Sequence, residues 1–306
     1  MNQPLVSVVI PNYCHARYLK ERIESVLAQT YQHFELIILD DCSPDDGTSR
    51  QVIEQYRDNP HVTHIVYNQQ NSGSTFRQWN KGFGLAKGEL IWIAESDDSC
   101  EPDLLENLVK RLVTHTDASV AFCRSVAFNE NGFNEPIGIQ CDEDVVFDGR
   151  DFIHDKMRSG TGILNASCAL IRTDSLHQIA GHYINYKGSG DRMFWVEMAE
   201  QGRIVYSSDG LNKFRTHQTN STKKFTETGV NQREDKVILD YIYSRDYISK
   251  EEYRMCRSVY IRVHIFEMLT DKQLKRELYQ VWGAGLWEQA KLRLDAWKRK
   301  LIPGKV

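Results

Sequence analysis

The sequence predicts an open, mostly parallel α/β sheet flanked by helices and continued by a helical C-terminal part. Three observations carry this. Continuous apolar runs alternate with helix-period segments through the first half of the 306 residues. The connections between them are short. From about residue 230 to 301 the pattern is almost purely helical. Strand–helix alternation of this kind builds a sheet whose ligands sit beyond the carboxyl ends of its strands.

Taken in order, the apolar runs at 5–10, 34–39, 61–67, 89–94 and 119–128 read as strands buried on both faces. Helical stretches fall at 16–29, 47–57, 75–87 and 102–113. Pro102 suits the first turn of the last, with Cys100 or Glu101 near its cap. The polar stretch 129–144, with Gly132, Pro136 and Gly138, reads as a loop or hairpin. Helical patterns return at 149–158 and 191–201, and the C-terminal helices break near Ser249 and at 283–285. The expected division is a domain over 1–225 and a helical extension over 226–306.

Composition narrows the function. The chain is 41 % apolar and 26 % charged, an ordinary globular balance. Its 38 basic and 42 acidic residues give a net charge of −4, without the basic excess of a nucleic-acid binder. Residues 286–306 carry a local +4, which leaves −8 on the other 285 residues. The seven cysteines include no C-x-x-C pair, which favours a reduced, cytoplasmic setting. The N-terminal residues read as a strand and not a signal peptide, and no apolar stretch reaches the length of a spanning helix.

Acidic and aromatic residues concentrate where strands end. The first run delivers Pro11-Asn12-Tyr13-Cys14-His15. No glycine occurs between Met1 and Gly47, so a dinucleotide-binding G-x-G-x-x-G turn is excluded. Tyr13 offers a flat ring for a base to stack on, or packs locally at a helix entry. The second run delivers Asp40-Asp41-Cys42-Ser43-Pro44-Asp45-Asp46. Asp45 is placed to cap the next helix; Asp40 and Asp41 lie too early and are left to accept from a base or ribose. The fourth run delivers Glu95-Ser96-Asp97-Asp98, three carboxylates that suit a hard cation such as Mg²⁺ or Mn²⁺ better than a cap. A P-loop is absent. Together these features describe a nucleoside diphosphate held through a divalent metal. Asp191, after Gly188-Ser189-Gly190, reads on residue type alone as a helix N-cap. The adjacent pair Cys14-His15 lacks the third orienting group of a nucleophile–base arrangement.

Three runs, PNYCHARYLKERIESVLAQTYQHFELIILDDCSPDDGT, NSGSTFRQWNKGFGLAKGELIWIAESDD and GSGDRMFWVEMAEQG, resemble the family-two inverting glycosyltransferases of the GT-A fold in order and spacing. The resemblance covers about residues 4–225. It implies that Pro11, Tyr13 and Asp41 contact the nucleotide base. It places Glu95, Asp97 and Asp98 on the D-x-D region, which binds ribose and a divalent metal bridging the phosphates. Asp191 falls on the family's catalytic base, and His217 on a histidine that in some members reaches the metal or diphosphate. Two positions depart from the pattern: Cys14 replaces a frequent Asn, and Glu95 replaces the first Asp of D-x-D. Which acid ligates the metal is left open.

The implied reaction is single displacement on a nucleotide sugar, a UDP-sugar first, with a hydroxyl of a glycan or lipid-linked acceptor as nucleophile. The setting implied is bacterial cell-surface polysaccharide synthesis. The Q-x-x-R-W motif of processive synthases is absent. The rival reading is a nucleotide-sugar-binding protein without turnover; nucleotidyl transfer would need a glycine-rich loop after the first strand. At the C-terminus, Leu286, Ala290, Leu294, Trp297 and Leu301 recur at helical spacing among basic residues. That stripe suits peripheral contact with an anionic membrane, on the inner face of a plasma membrane, or docking on the protein's own body.

Overall fold

The computed structural model describes residues 3–216 and 221–301, with side chains over 3–216 and 224–295. Two compact units divide it, Met1–Gln218 and Thr219–Val306.

The first unit begins with four βα steps. Strands β1 (Val6–Asn12), β2 (Phe34–Asp40), β3 (Val62–Tyr67) and β4 (Leu90–Ile93) are followed by helices α1 (Ala16–Leu27), α2 (Thr48–Glu54), α3 (Thr75–Phe83) and α4 (Leu104–Thr114). They assemble in the order β3-β2-β1-β4, with every pair parallel. β1, β2 and β4 are buried throughout, as uniformly apolar strands require; β3 is an edge strand and only half-buried. The register pairs Asn12 with Asp40, which brings the polar strand ends side by side. The chain turns from one side of the sheet to the other between β1 and β4, the switch point where open α/β sheets bind ligands.

Beyond β4 the pattern changes. Strands β5 (Ser99–Cys100), β6 (Ala118–Phe128), β7 (Asn134–Ile137), β8 (Val145–Phe147), β9 (Ala169–Arg172) and β10 (Arg203–Arg215) complete a ten-stranded sheet. β9 is inserted antiparallel between β4 and β6, while β10 runs parallel to β6. Residues 129–144 contain a hairpin, with β7 folding back on β6. Two helix starts differ from expectation. α4 is capped at Asp103, which leaves Pro102 outside it with its carbonyl accepting from Thr30 N at 2.8 Å. The 149–158 stretch is a short α-helix, Gly149–Phe152, that runs into a π-helix, Ile153–Met157.

The second unit consists of helices Ser221–Glu227, Val230–Ser244, Lys250–Tyr260 (continued as a π-helix to Glu267), Lys272–Val281 and Leu286–Leu301. Ser249 and Glu252 form a capping box, the reason for the break there. The break at Gly283 is a left-handed turn at φ 64°. Trp282 is buried, stacked on Tyr260 at 4.1 Å, and donates to Gln232 O at 2.9 Å. No helix among the described residues is long and apolar enough to cross a membrane.

Candidate active site

The site is built at the carboxyl ends of β1, β2 and β4. At the end of β1, Asn12 is buried and donates to Asp40 Oδ1 at 2.7 Å and Ser49 Oγ at 3.0 Å. Pro11 is buried in the strand beside it, and Tyr13 stands 45 % exposed, so its ring is accessible at the strand end. Cys14 and Cys42 sit at φ 59° and 60°, the left-handed region in which Asn and Gly rest more easily.

Asp40 and Asp41 are committed to internal hydrogen bonds. Asp40 also accepts from Ser43 N at 3.1 Å and Ser43 Oγ at 2.7 Å, closing the turn after β2. Asp41 is buried and accepts from Asn68 Nδ2 (2.6 Å), Gln78 Nε2 (2.9 Å), Asn71 Nδ2 (3.1 Å), Ser72 N (2.9 Å) and Ser72 Oγ (2.7 Å). A carboxylate has about four lone-pair positions. Asp41 therefore spends its capacity on holding residues 68–78 beside the strand ends. The run of Asn and Ser before α3 is the sequence signal for these donors. The N-cap of α2 is Gly47, not Asp45; Asp45, two residues earlier, accepts from Ser49 N in the first turn at 3.1 Å.

The three acids after β4 are held differently. Asp98 is buried and accepts from Asn165 Nδ2 (2.9 Å), Ser167 Oγ (2.7 Å) and Arg215 N (3.0 Å). Glu95 accepts from Trp79 Nε1 at 2.7 Å. Asp97 is 21 % exposed, with His15 Nδ1 at 3.9 Å. Its backbone carbonyl is fixed by Arg215 Nε at 2.8 Å. Burial, then the neighbouring Asp97 carboxylate, pushes Glu95 up to about 8 and also raises Asp98. Arg22 opposes both shifts.

Arg22 was not singled out by sequence motifs. It is fully buried on the apolar face of α1 among Leu19, Ile23 and Val26, with its guanidinium 4.9 Å from the Trp92 ring. Its nitrogens have no hydrogen-bond acceptor among the described residues. An arginine at an apolar-stripe position was the available signal. Trp92 in turn donates to Ser167 O at 2.8 Å, and Ser167 Oγ meets both Glu95 N (3.0 Å) and Asp98.

Asp191 lies in the first turn of helix Gly190–Ala199, whose N-cap is Ser189; the cap expected at Asp191 is thus two residues earlier. Its Oδ1 accepts from Arg192 N at 2.8 Å. A Cβ on Gly190 would lie 2.5 Å from the Phe76 ring, so only glycine lets the helix start approach α3 this closely. Trp79, which donates to Glu95, also packs edge-on against Phe194 at 5.6 Å. α3 thereby braces the Asp191 helix and the β4 acids against one another. Two cations of α3 bond within this region: Arg77 donates to Ser72 O at 2.9 Å and Lys81 to Asn68 Oδ1. His217 lies outside the described residues.

Among the described residues, no three His, Cys, Asp or Glu side chains form a ready cation cage. The donor set still fits Mg²⁺ or Mn²⁺, which need one or two carboxylates when substrate phosphates and water complete the shell. Crowded acids that burial pushes toward neutrality are what a bound cation would relieve. The raised Glu95 also makes a prediction. The folded protein keeps this proton to about pH 8, whereas an unfolded glutamate releases it near 4.5, so stability falls as pH rises across that window. Glu95→Gln removes the ionisation. In metal-free buffer its melting temperature relative to the native chain should rise by several degrees between about pH 5 and about pH 8.5. A constant difference would contradict the assignment.

With this geometry in place, the likeness to known proteins decides the family. A profile described as Glycosyl transferase family 2 matches residues 7–180, from β1 through Asn165 and Ser167. The chain belongs to glycosyl transferase family 2. Curated relatives in the family include the putative teichuronic acid biosynthesis glycosyltransferase TuaG of Bacillus subtilis, 36 % identical over 132 residues, or 43 % of this chain and 48 % of that one. The putative colanic acid biosynthesis glycosyl transferase WcaA of Escherichia coli is 36 % identical over 120 residues, 37 % of this chain and 41 % of that one. The matched segment thus spans about half the length of these relatives or less. Among solved structures, the GT-A fold is shared with Staphylococcus aureus TarS 1-349 in complex with UDP-GlcNAc, at TM-score 0.57 and 19 % identity over 89 % of this chain and 70 % of that one. It is shared also with mannosyltransferase PcManGT of Pyrobaculum calidifontis in complex with GDP-Man and Mn²⁺, at TM-score 0.61 and 16 % identity over 99 % and 82 % of the two chains.

Proposed function

We propose that the chain is an inverting, non-processive glycosyltransferase that moves a hexosyl group from a nucleoside diphosphate donor, UDP-linked first, to a hydroxyl of a glycan or lipid-linked acceptor. The observation that carries this reading is the gathering of an accessible aromatic ring, Tyr13, and the β4 acids at the β1/β4 switch point, with Asp191 braced nearby through α3. Tyr13 stacks on the base. Asp41 and Pro11 shape the base pocket, Asp41 through the 68–78 segment that it holds. Asp97 is the metal ligand, with Glu95 and Asp98 fixing it in place. A divalent cation bound there would offset the charge that grows on the leaving diphosphate. Asp191 takes the proton of the acceptor hydroxyl as the new bond forms, because a neutral hydroxyl is a weak nucleophile.

Support for a role in bacterial cell-surface polysaccharide synthesis comes from the relatives' own descriptions, teichuronic and colanic acid assembly. Incubation of the chain with a panel of nucleotide sugars and Mn²⁺ tests the reading. UDP release or transfer, with the product anomer inverted by NMR, supports it; binding without release would favour the non-catalytic nucleotide-sugar binder.

The C-terminal helix suits a peripheral membrane contact. Leu286 is 85 % exposed, Leu294 49 %, and Ala290 is exposed between them, so no described residue covers this part of the stripe; Trp297 and Leu301 lie beyond the described side chains. Deleting residues 286–306, with their +4 charge, should lower co-sedimentation with anionic liposomes at least about tenfold. Equal binding by both forms would remove the membrane role.

A further inference from the structure

An open concavity is lined by none of the strand-end acids. Residues 138–141, Val145 and Phe147 of β8, Asp155 and Lys156 of the π-helix Ile153–Met157, and residues 161–164 form its walls, around a volume of about 500 Å³, within the range of small-molecule sites. Its lining combines the Phe147 ring with Gln140, Asp155, Lys156, Thr161 and Leu164.

The walls are built, not loosely apposed. A Cβ on Gly162 would lie 2.7 Å from the Phe152 ring and 2.9 Å from Lys156 Cβ, so the 161–164 segment is pressed onto the π-helix. On the other side, Tyr206 Oη donates to Ile139 O at 3.0 Å, and Arg124 donates to Cys141 O. Short π-helices recur at functional sites because the extra residue re-aims side chains. Here it carries Asp155 and Lys156 to the pocket.

Both walls also connect to the reaction centre. Arg192, next to Asp191, donates through Nε (3.1 Å) and Nη2 (2.6 Å) to Met157 O, the last residue of the π-helix. Asn165, next to Leu164, holds Asp98 at 2.9 Å. A ligand in the pocket would therefore rest on the two segments that position the base and the β4 acids.

We propose that this pocket binds a pyranose ring of the glycan acceptor, with one sugar face against Phe147 and its hydroxyls served by Gln140, Lys156 and Thr161. An aromatic face rimmed by donors and acceptors matches a pyranose, which presents apolar C–H groups on its faces and hydroxyls around its edge. The assignment rests on the transferase reading and adds the acceptor side to it.

Saturation-transfer NMR on the full chain, with methyl glycosides of glucose, galactose and N-acetylglucosamine as probes, tests the pocket. At least one glycoside should receive saturation from the native chain. Leu164→Trp, at an exposed position on the rim, should reduce that signal at least about fivefold; an unchanged cooperative thermal melt serves as the folding control. Gln140→Trp, on the exposed 138–141 segment, gives an independent block should Leu164→Trp fail to fold. No binding by any glycoside, or equal binding by the blocked variants, would overturn the proposal. UDP release from a nucleotide sugar without glycoside binding sinks the pocket and leaves the transferase reading standing. Glycoside binding lost on blocking, in a chain that turns over no nucleotide sugar, does the reverse.

Discussion

Asp191→Asn is expected to lower sugar transfer by about 10²- to 10⁴-fold, the usual worth of a positioned general base, and to leave UDP affinity within about twofold. The substitution is close to isosteric. An Asn carbonyl oxygen can still accept from Arg192 N, so the first turn of helix Gly190–Ala199 and its packing on Phe76 persist. What is lost is the capacity to take a proton. Initial-rate transfer assays beside calorimetric titration of UDP separate the two effects. Parallel loss of transfer and UDP binding would assign Asp191 to the donor and take the base role away from it.

The second large effect lies at Asp41. Removing its carboxylate leaves the buried Gln78 amide and the partly exposed donors of Asn68, Asn71 and Ser72 without their shared acceptor. Each charge-assisted bond is worth more than a neutral one, and an orphaned buried donor costs about 1–3 kcal/mol. Water can replace the acceptor for the partly exposed donors, so Asp41→Ala should destabilise the first unit by about 2–3 kcal/mol, most of it from Gln78. A unit of this size would then melt about 5–10 °C lower, measured by calorimetry. Asp41→Asn retains one oxygen acceptor and should fall between. A change under about 2 °C would mean that the 68–78 segment is held by other contacts.

These two residues also mark how far the sequence could be read. The acids at strand ends were legible because uniformly apolar strands leave little room for carboxylates until the chain emerges, and that local contrast gave β1, β2 and β4 with their termini. The same logic assigned Asp40 and Asp41 to a nucleotide, since nothing local could satisfy them. Asp40 in fact finds Ser43 three residues on and Asn12 from β1, and the partners of Asp41 come from 27 to 37 residues away, beyond the reach of periodicity. Asp98 is held by Asn165 and Ser167, which sit 67 and 69 residues later, beside a strand that inserts antiparallel into the sheet. Alternation of apolar runs cannot foresee such an insertion. The edge position of β3, which left it half-buried, has the same origin: burial depends on which strand ends a sheet, and sequence order does not say. Arg22 was missed for a different reason. Its position on the buried face of α1 was visible, but a cation among Leu19, Ile23 and Val26 has no motif to announce it.

The central claim is that the strand ends of β1 and β4 bind a nucleoside diphosphate through a divalent metal. A thermal-shift series with UDP, GDP and their sugar conjugates, each with and without Mn²⁺, tests it most directly, because a ligand that binds only the folded chain raises its melting temperature by mass action. The account predicts stabilisation by one nucleoside diphosphate, present with Mn²⁺ and lost in Asp97→Asn. Equal melting temperatures with and without every nucleotide, whatever the metal, would contradict it.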